Sequence, residues 1–112
     1  STSCISVKRD KFEFFLKNIK HDVFKNLEID ARINIFFTFY YNQYNILFKK
    51  LTYYNYDING ITAKIFKYSK LWWLRRYQAF KYLEFVKKKK NKRFRYNLDF
   101  CITSIFNFLF KL

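Results

Sequence analysis

The residues best suited to chemistry in this chain are cations, and they are concentrated in one stretch. Seven of the nine residues in Lys87–Arg95 are Lys or Arg, and residues 69–97 carry +10 of the net charge of +15. A cation that contacts a phosphate releases condensed counterions, so this density is typical of a protein that binds a polyanion. A solvated loop is the alternative, but such a loop rarely holds two-thirds of a protein's charge. We therefore predict a phosphate-binding segment, which we call the basic arm (Lys87–Arg95).

A second group of cations alternates with aromatic residues just upstream, in Trp72, Trp73, Arg75, Arg76 and Tyr77. RNA-binding proteins combine planar cations with aromatic rings to hold phosphates and stack unpaired bases. A core position for Trp73 and Tyr77, with Trp72 at an interface, explains the rings at least as well. For Arg75 and Arg76 we predict phosphate contacts.

Catalytic and metal-binding constellations are not indicated. Glu28 and Asp30 lie two residues apart and could share a metal ion, but the neighbouring Arg32 favours ordinary ion pairing. The sole histidine, His21, is expected to be exposed or at an interface rather than a general base. The two cysteines lack zinc-ligand spacing, and one glycine excludes a glycine-rich phosphate loop. We predict no enzyme, and no metal, cofactor or small-molecule substrate.

The composition indicates where such a protein works. More than half of the chain is Phe, Lys, Ile, Asn or Tyr, whose codons begin with two A or T bases, and Pro is absent. This alphabet is typical of the A·T-rich genomes of organelles, and a small basic protein of that origin is predicted to be ribosomal and to lie in the mitochondrial matrix. At 51% hydrophobic residues the chain should fold. Its longest apolar stretch, Phe100–Phe110, is about half of a ~20-residue membrane span, so no membrane partner is expected.

Hydrophobic periodicity predicts the elements that position these residues. Helical spacing covers residues 9–26, and strict alternation over Leu27–Ile35 predicts a strand. Helical spacing returns after Asn42, a candidate cap. The pair Asn59-Gly60 lies between two alternating runs and predicts a two-residue β-hairpin, because both positions need positive φ.

The carboxyl-terminal part is predicted to hold a helix and a strand. Residues 70–86 have a helical stripe, and Phe94–Ile102 alternate like a strand, which residues 106–112 extend or follow with a short helix. The predicted fold class is α+β in the order α-β-α-β-β-α-β, with the basic arm before the last strand. Residues 1–69 form an α/β body with the hairpin, and residues 70–112 carry the basic helix, the arm and the last strand, as one continuous domain.

The element order over residues 14–69 resembles a known family. The matching segments are Phe14–Lys20, Leu27–Ile35, Tyr44–Leu51 and the hairpin that ends in Lys67-Tyr68. In this order they resemble the eighth protein of the small ribosomal subunit, in its mitochondrial form. The chain departs from the family after the hairpin, where its Ser-Lys-Pro-Gly stretch and its closing Gly-Gly-Glu strand have no counterpart.

The resemblance implies specific RNA contacts. Lys17, Asn18 and Lys20 lie where the family carries a basic residue and an Asn that face RNA, and Thr103 and Ser104 match part of its Ser-Thr-Ser loop. The chain is thus predicted to be a structural constituent of the mitochondrial small ribosomal subunit, with ribosomal RNA and neighbouring ribosomal proteins as partners. The predicted RNA-binding residues are Lys17, Asn18, Lys20, Lys67, Lys70, Arg75, Arg76, Lys87, Lys88, Lys89, Lys90, Lys92, Arg93, Arg95, Thr103 and Ser104.

Two alternatives stay open. The segment Ala31-Arg32-Ile33-Asn34 suggests a helical protein of the large ribosomal subunit, which requires Leu27–Ile35 to be helical. The other alternative is an accessory subunit of a mitochondrial membrane complex. In that case the Phe-rich carboxyl end would pack on protein or lipid, and the lysines would meet anionic headgroups.

Overall fold

The computed structural model describes residues 5–42, 45 and 65–111. Over these ranges the chain forms four α-helices, and no residue in them belongs to a strand. The predicted α+β class, with its order α-β-α-β-β-α-β, is therefore wrong. The helices are α1 (Arg9–Leu16), α2 (Ile29–Phe36), α3 (Lys70–Lys89) and α4 (Leu98–Leu109), and a π-helical turn (Phe37–Tyr41) continues α2.

The first predicted helix, over residues 9–26, is correct only in its first half, because α1 ends at Leu16. Asn18 interrupts it: its side-chain Nδ2 donates to the carbonyl oxygen of Phe14 at 2.8 Å. Lys20 then takes a left-handed conformation with φ of 49°. The chain therefore turns back on itself and carries Phe24 and Leu27, both buried, into the core.

Leu27–Ile35 was predicted to be a strand, and that prediction is wrong because Ile29–Phe36 form α2. The buried residues of α2 are Arg32 and Phe36, which are four apart and so lie on one face of the helix. Ala31, Ile33 and Ile35 pack against the same core from neighbouring faces. Apolar residues therefore occupy more than one side of α2, and in sequence that arrangement imitates the alternation of a strand.

The π-helical turn ends at Asn42, whose φ of 56° is left-handed. Asn42 ends this turn, and its predicted role as the cap of a following helix concerns residues outside the described ranges. The predicted helix that follows Asn42 and the predicted hairpin at Asn59-Gly60 lie outside the described residues.

The predicted helix over residues 70–86 is confirmed by α3, which extends to Lys89. It begins at Ser69, whose hydroxyl accepts a hydrogen bond from the Trp72 backbone N–H at 3.2 Å. It ends in a Schellman motif around left-handed Asn91: the N–H groups of Asn91 and Lys92 donate to the carbonyls of Lys88 and Lys87, each at 2.9 Å.

The second predicted strand, Phe94–Ile102, is also wrong, because α4 begins at Leu98. The side chain of Asn97 accepts a hydrogen bond from the Phe100 N–H at 2.9 Å and starts the helix. Asp99, Thr103 and Asn107 recur every four residues, so they share one face. Asp99 pairs with Arg76 of α3, and Thr103 and Asn107 are buried.

The core lies between α1, the turns after it, α2 and the second half of α3. The Tyr82 ring packs edge-on against Phe24 with centroids 5.2 Å apart, and Phe15 packs similarly against Phe36 at 5.4 Å. α4 packs on the first half of α3, where the rings of Trp73 and Phe106 stack at 4.5 Å. The buried hydrophobic cluster consists of Phe15, Phe24, Leu27, Phe36, Tyr82 and Val86.

Candidate nucleic-acid interface

The basic arm is half helix and half extended segment. Its first residues form the last turn of α3, where cations interact favourably with the negative end of the helix dipole. The Schellman motif at Asn91 then redirects the chain, so that Lys92, Arg93 and Arg95 lie between α3 and α4. The arm is consequently attached to a capped helix end.

Aromatic rings of the π-helical turn lie beside the arm. The ammonium of Lys90 is 4.9 Å from the ring centroid of Tyr40, and that of Lys87 is 5.3 Å from Phe39. Lys87 also lies 5.7 Å from the ring of Phe94, within the arm itself. Contacts of this kind stabilise a cation over the face of a ring without neutralising it. The site therefore combines positive charge with aromatic surface, as RNA-binding proteins do.

None of the seven cations of the arm forms an ion pair within the described ranges, and four of them are exposed and make no ring contact. These four are Lys88, Lys92, Arg93 and Arg95. The acids that the structure does pair are used elsewhere, since Glu28, Glu84 and Asp99 all bind cations in the body of α3. The distribution of acids leaves the end of α3 as a concentrated positive surface.

Arg75 and Arg76, predicted to contact phosphates, have acidic partners inside the protein. Arg75 pairs with Glu28 and Arg76 with Asp99, so they tie α3 to the start of α2 and to α4. The guanidinium carbon of Arg76 also lies 5.3 Å from the ring centroid of Trp72. Trp73 is buried and packs on α4, in agreement with the core interpretation of that ring. Phosphate contacts by these two arginines stay a prediction.

The residues taken from the family resemblance are not brought together as one surface. Lys17 and Lys20 are exposed, whereas Asn18 is only 4% exposed. The Oδ1 of Asn18 accepts a hydrogen bond from Lys89 of the arm. The side chain of Asn18 is thus occupied by protein contacts.

The other predicted positions lie around α3 and α4. Thr103 is buried and its hydroxyl donates to the Asp99 carbonyl at 2.8 Å. Ser104 is half-buried, and its hydroxyl has no hydrogen-bond partner among the described residues. Lys67 and Lys70 are exposed near the start of α3. Thr103 therefore offers no free hydroxyl to RNA.

The position of Arg32 differs from the surface ion pairing that the sequence predicts. Arg32 forms no pair with Glu28 or Asp30 and is instead buried, with 2% of its surface exposed. Its Nε donates to the carbonyl of Leu27 at 3.0 Å and its Nη2 to that of Phe24 at 2.9 Å. Burial lowers the pKa of Arg32, yet a guanidinium stays charged in proteins. The buried charge holds the turns before α2 in place.

In the described part of the chain, no group of three or more His, Cys, Asp or Glu side chains is arranged to hold a metal ion. Asp30 accepts a hydrogen bond from the Ala31 N–H at 2.8 Å, and exposed His21 lies 3.4 Å from Arg32. A shallow cleft of about 470 Å³ lies along α3, with apolar walls and lysines around it. Its lining residues include Phe24, Tyr77, Phe85, Lys81, Lys88 and Lys111.

Comparisons with protein-family models, with curated proteins and with solved structures return no match.

Proposed function

We propose that this chain binds ribosomal RNA through the basic arm, as a structural constituent of a mitochondrial ribosome. The observation that carries the proposal is a set of exposed cations without an ion pair among the described residues, Lys88, Lys92, Arg93 and Arg95, in contrast to the paired arginines of α3. Cations that the fold itself uses have partners inside the protein, acids for Arg75 and Arg76 and backbone carbonyls for Arg32. A cluster without such partners in the described ranges, beside the rings of Phe39 and Tyr40, is suited to an RNA backbone.

The mode of binding follows from the character of the arm. Lysines act as point charges toward phosphates, and arginines bind them through two parallel hydrogen bonds. The arm contains no glutamine or carboxylate to read base edges, and Asn91, which caps α3 through its backbone, is its one residue with a side-chain amide. Recognition is therefore proposed to depend on the shape and charge of an RNA helix, with little sequence preference.

The helical form of α2 bears on which ribosomal subunit is proposed. The small-subunit resemblance used Leu27–Ile35 as a strand, whereas the large-subunit alternative, suggested by Ala31-Arg32-Ile33-Asn34, required a helix there. The structure has a helix over Ile29–Phe36. This supports the large subunit as the better candidate, and the small-subunit assignment becomes the second.

An RNA-binding titration at several salt concentrations tests the proposal. The probe is a fluorescent RNA hairpin of about 20 base pairs, longer than the ~16 that a double-stranded-RNA domain covers. The variant is Lys88→Gln/Lys92→Gln/Arg93→Gln, and the matched control is Lys8→Gln/Arg9→Gln/Lys25→Gln, which removes three exposed cations elsewhere.

The arm variant should lose about tenfold or more in affinity for the hairpin. The steepness of log K against log salt should fall by roughly 2 to 3, because each of the three lost phosphate contacts contributes about 0.7–0.9. The control variant should lose much less of the RNA affinity and much less of its salt dependence. Equal losses in the two variants would show that net charge alone drives binding, and would overturn the assignment of the arm.

A further inference from the structure

The side of α4 that points away from α3 is an unbroken apolar surface. At 100° per residue, six positions fall on one side of this helix, and all six are exposed. Leu98 is 77% exposed, Ile105 58% and Phe108 61%. We call this surface the α4 outer face, and it consists of Leu98, Cys101, Ile102, Ile105, Phe108 and Leu109.

The side of α4 that packs inward is already filled. Asp99 binds Arg76, Thr103 and Asn107 are buried, and the rings of Phe100 and Phe106 contact rings of α3. A surface helix ordinarily keeps its apolar stripe toward the core, whereas α4 has a second apolar stripe that faces outward. Six contiguous apolar side chains in water are unfavourable, and patches of this kind mark a surface that binds something apolar.

Charge restricts what that partner can be. A second copy of the chain would bring another net charge of +15 against the first, and like charges oppose association. RNA offers phosphates but little apolar surface for Ile and Leu side chains. The outer face also has no side-chain hydroxyl, amide or charge, whereas protein interfaces form about one hydrogen bond per 100–200 Å².

A bilayer that contains anionic lipids offers both an apolar surface and negative charge. Its acyl chains accept apolar side chains, and its headgroups attract the cations that flank the helix, with Arg93 and Arg95 before it and Lys111 after it. Tyr96, exposed before the helix, is of the aromatic type that is enriched at membrane surfaces, and Phe110, exposed after it, adds apolar area. No helix in the described ranges is long and apolar enough to cross a membrane.

We propose that the α4 outer face binds the surface of an anionic membrane, with α4 lying parallel to the bilayer plane. This surface differs from the basic arm proposed to bind RNA, although the arm's Arg93 and Arg95 would strengthen the electrostatic attraction. Membrane docking and RNA binding therefore have separate critical residues, and each can fail without the other.

Cys101 supplies a direct probe, because it lies on the outer face and is an exposed free thiol. In the full chain with Cys4→Ser, an environment-sensitive nitrobenzoxadiazole dye on Cys101 reports entry into the bilayer surface. Vesicles of phosphatidylcholine with phosphatidylserine should shift its emission to shorter wavelength, and vesicles of phosphatidylcholine alone should shift it far less. Flotation with anionic vesicles without a shift would mean binding by charge alone and would overturn the proposal.

Two double variants test whether the α4 outer face is the surface that binds vesicles. Ile105→Gln/Leu109→Gln removes two exposed side chains of the outer face and should weaken vesicle binding about tenfold or more. The matched control is Val23→Gln/Ile29→Gln, which changes two side chains of similar exposure, 65% and 48%, on another part of the surface. Circular dichroism checks that both variants are folded.

Three results would contradict membrane docking through α4. They are absence of vesicle binding by the unmodified chain, equal vesicle binding by the two variants, and a dimer in sedimentation that Ile105→Gln/Leu109→Gln converts to monomer. The last result would assign the outer face to a second copy of the chain.

Discussion

The phenolic hydroxyl of Tyr82 donates a hydrogen bond to the backbone carbonyl of Asn18 at 3.2 Å. Tyr82 is fully buried, and the side chain of the same Asn18 accepts a hydrogen bond from Lys89. The turn after α1 is therefore attached to the second half of α3 at two points. The contact also places the base of the basic arm directly on the core.

Ionisation of Tyr82 should lower the stability of the protein at alkaline pH. Burial raises the pKa of Tyr82 to about 12, against about 10 for an exposed tyrosine, with Arg32 acting in the opposite direction. The folded form holds the proton more tightly than the unfolded form, so this contribution is complete below pH ~10 and is lost as pH rises through ~12. We expect a loss of about 2 to 3 kcal/mol in the free energy of unfolding across that range.

Urea unfolding from pH 7 to pH 12, with Tyr82→Phe beside the unmodified chain, measures this loss of stability. The variant should be about 1 kcal/mol less stable near neutral pH, because it lacks the hydrogen bond to Asn18, and should decline less above pH ~10. Parallel curves for the two proteins would show that Tyr82 is not the group responsible.

Arg32 should be among the positions most sensitive to substitution. Arg32→Ala removes a buried cation and leaves the carbonyl of Leu27 without its donor, whereas the carbonyl of Phe24 keeps the backbone N–H of Leu27. A loss of about 2 to 3 kcal/mol is expected, because a buried carbonyl loses its hydrogen bond and the turns lose their anchor. Arg95→Ala, at an exposed arginine, should stay within ~0.5 kcal/mol. Chemical denaturation compares them, and similar midpoints would contradict the anchoring role of Arg32.

Asn91 should tolerate glycine better than alanine. Its φ of 54° is left-handed, which costs a residue with a Cβ about 1–2 kcal/mol, although Asn tolerates it better than most. We expect Asn91→Ala to destabilise the protein by ~1 kcal/mol and Asn91→Gly to have little effect. Thermal unfolding measures both, and an alanine variant as stable as the glycine variant would exclude the Schellman cap.

The pair between Arg76 and Asp99 separates a structural arginine from an RNA-binding one. Both side chains are more than a third exposed, so a double-mutant cycle with Arg76→Gln and Asp99→Asn should give a coupling below ~1 kcal/mol. Because Asp99 already occupies the guanidinium, Arg76→Gln should reduce RNA affinity less than Lys92→Gln does. A larger loss at Arg76 would restore its predicted phosphate contact.

The sequence predicts α3 and the location of the positive charge, but not the fold class. α3 was recognisable from its helical stripe over residues 70–86. α2 and α4 were mistaken for strands because apolar residues cover more than one side of each helix, so alternation dominated the pattern. The spacing of Asp99, Thr103 and Asn107 and the capping position of Asn97 contained the helical signal for α4.

The burial of Arg32 had no local signal, because it depends on carbonyl groups that the turns of residues 19–27 bring together. The pairing of Arg75 with Glu28 joins residues that are distant in sequence and could not be chosen from spacing alone. The basic arm, by contrast, is an exposed charge cluster whose composition determines its character in any fold.

The most direct test of the central claim is sedimentation of the native protein from a mitochondrial lysate, with ribosomal RNA traced in every fraction of a sucrose gradient. We expect the protein to migrate with ribosomal RNA, most of all that of the large subunit, at moderate salt and to be released at high salt. Migration with small-subunit RNA would support the ribosomal function but assign the protein to the small subunit. Recovery in fractions free of ribosomal RNA at both salt concentrations would contradict the account.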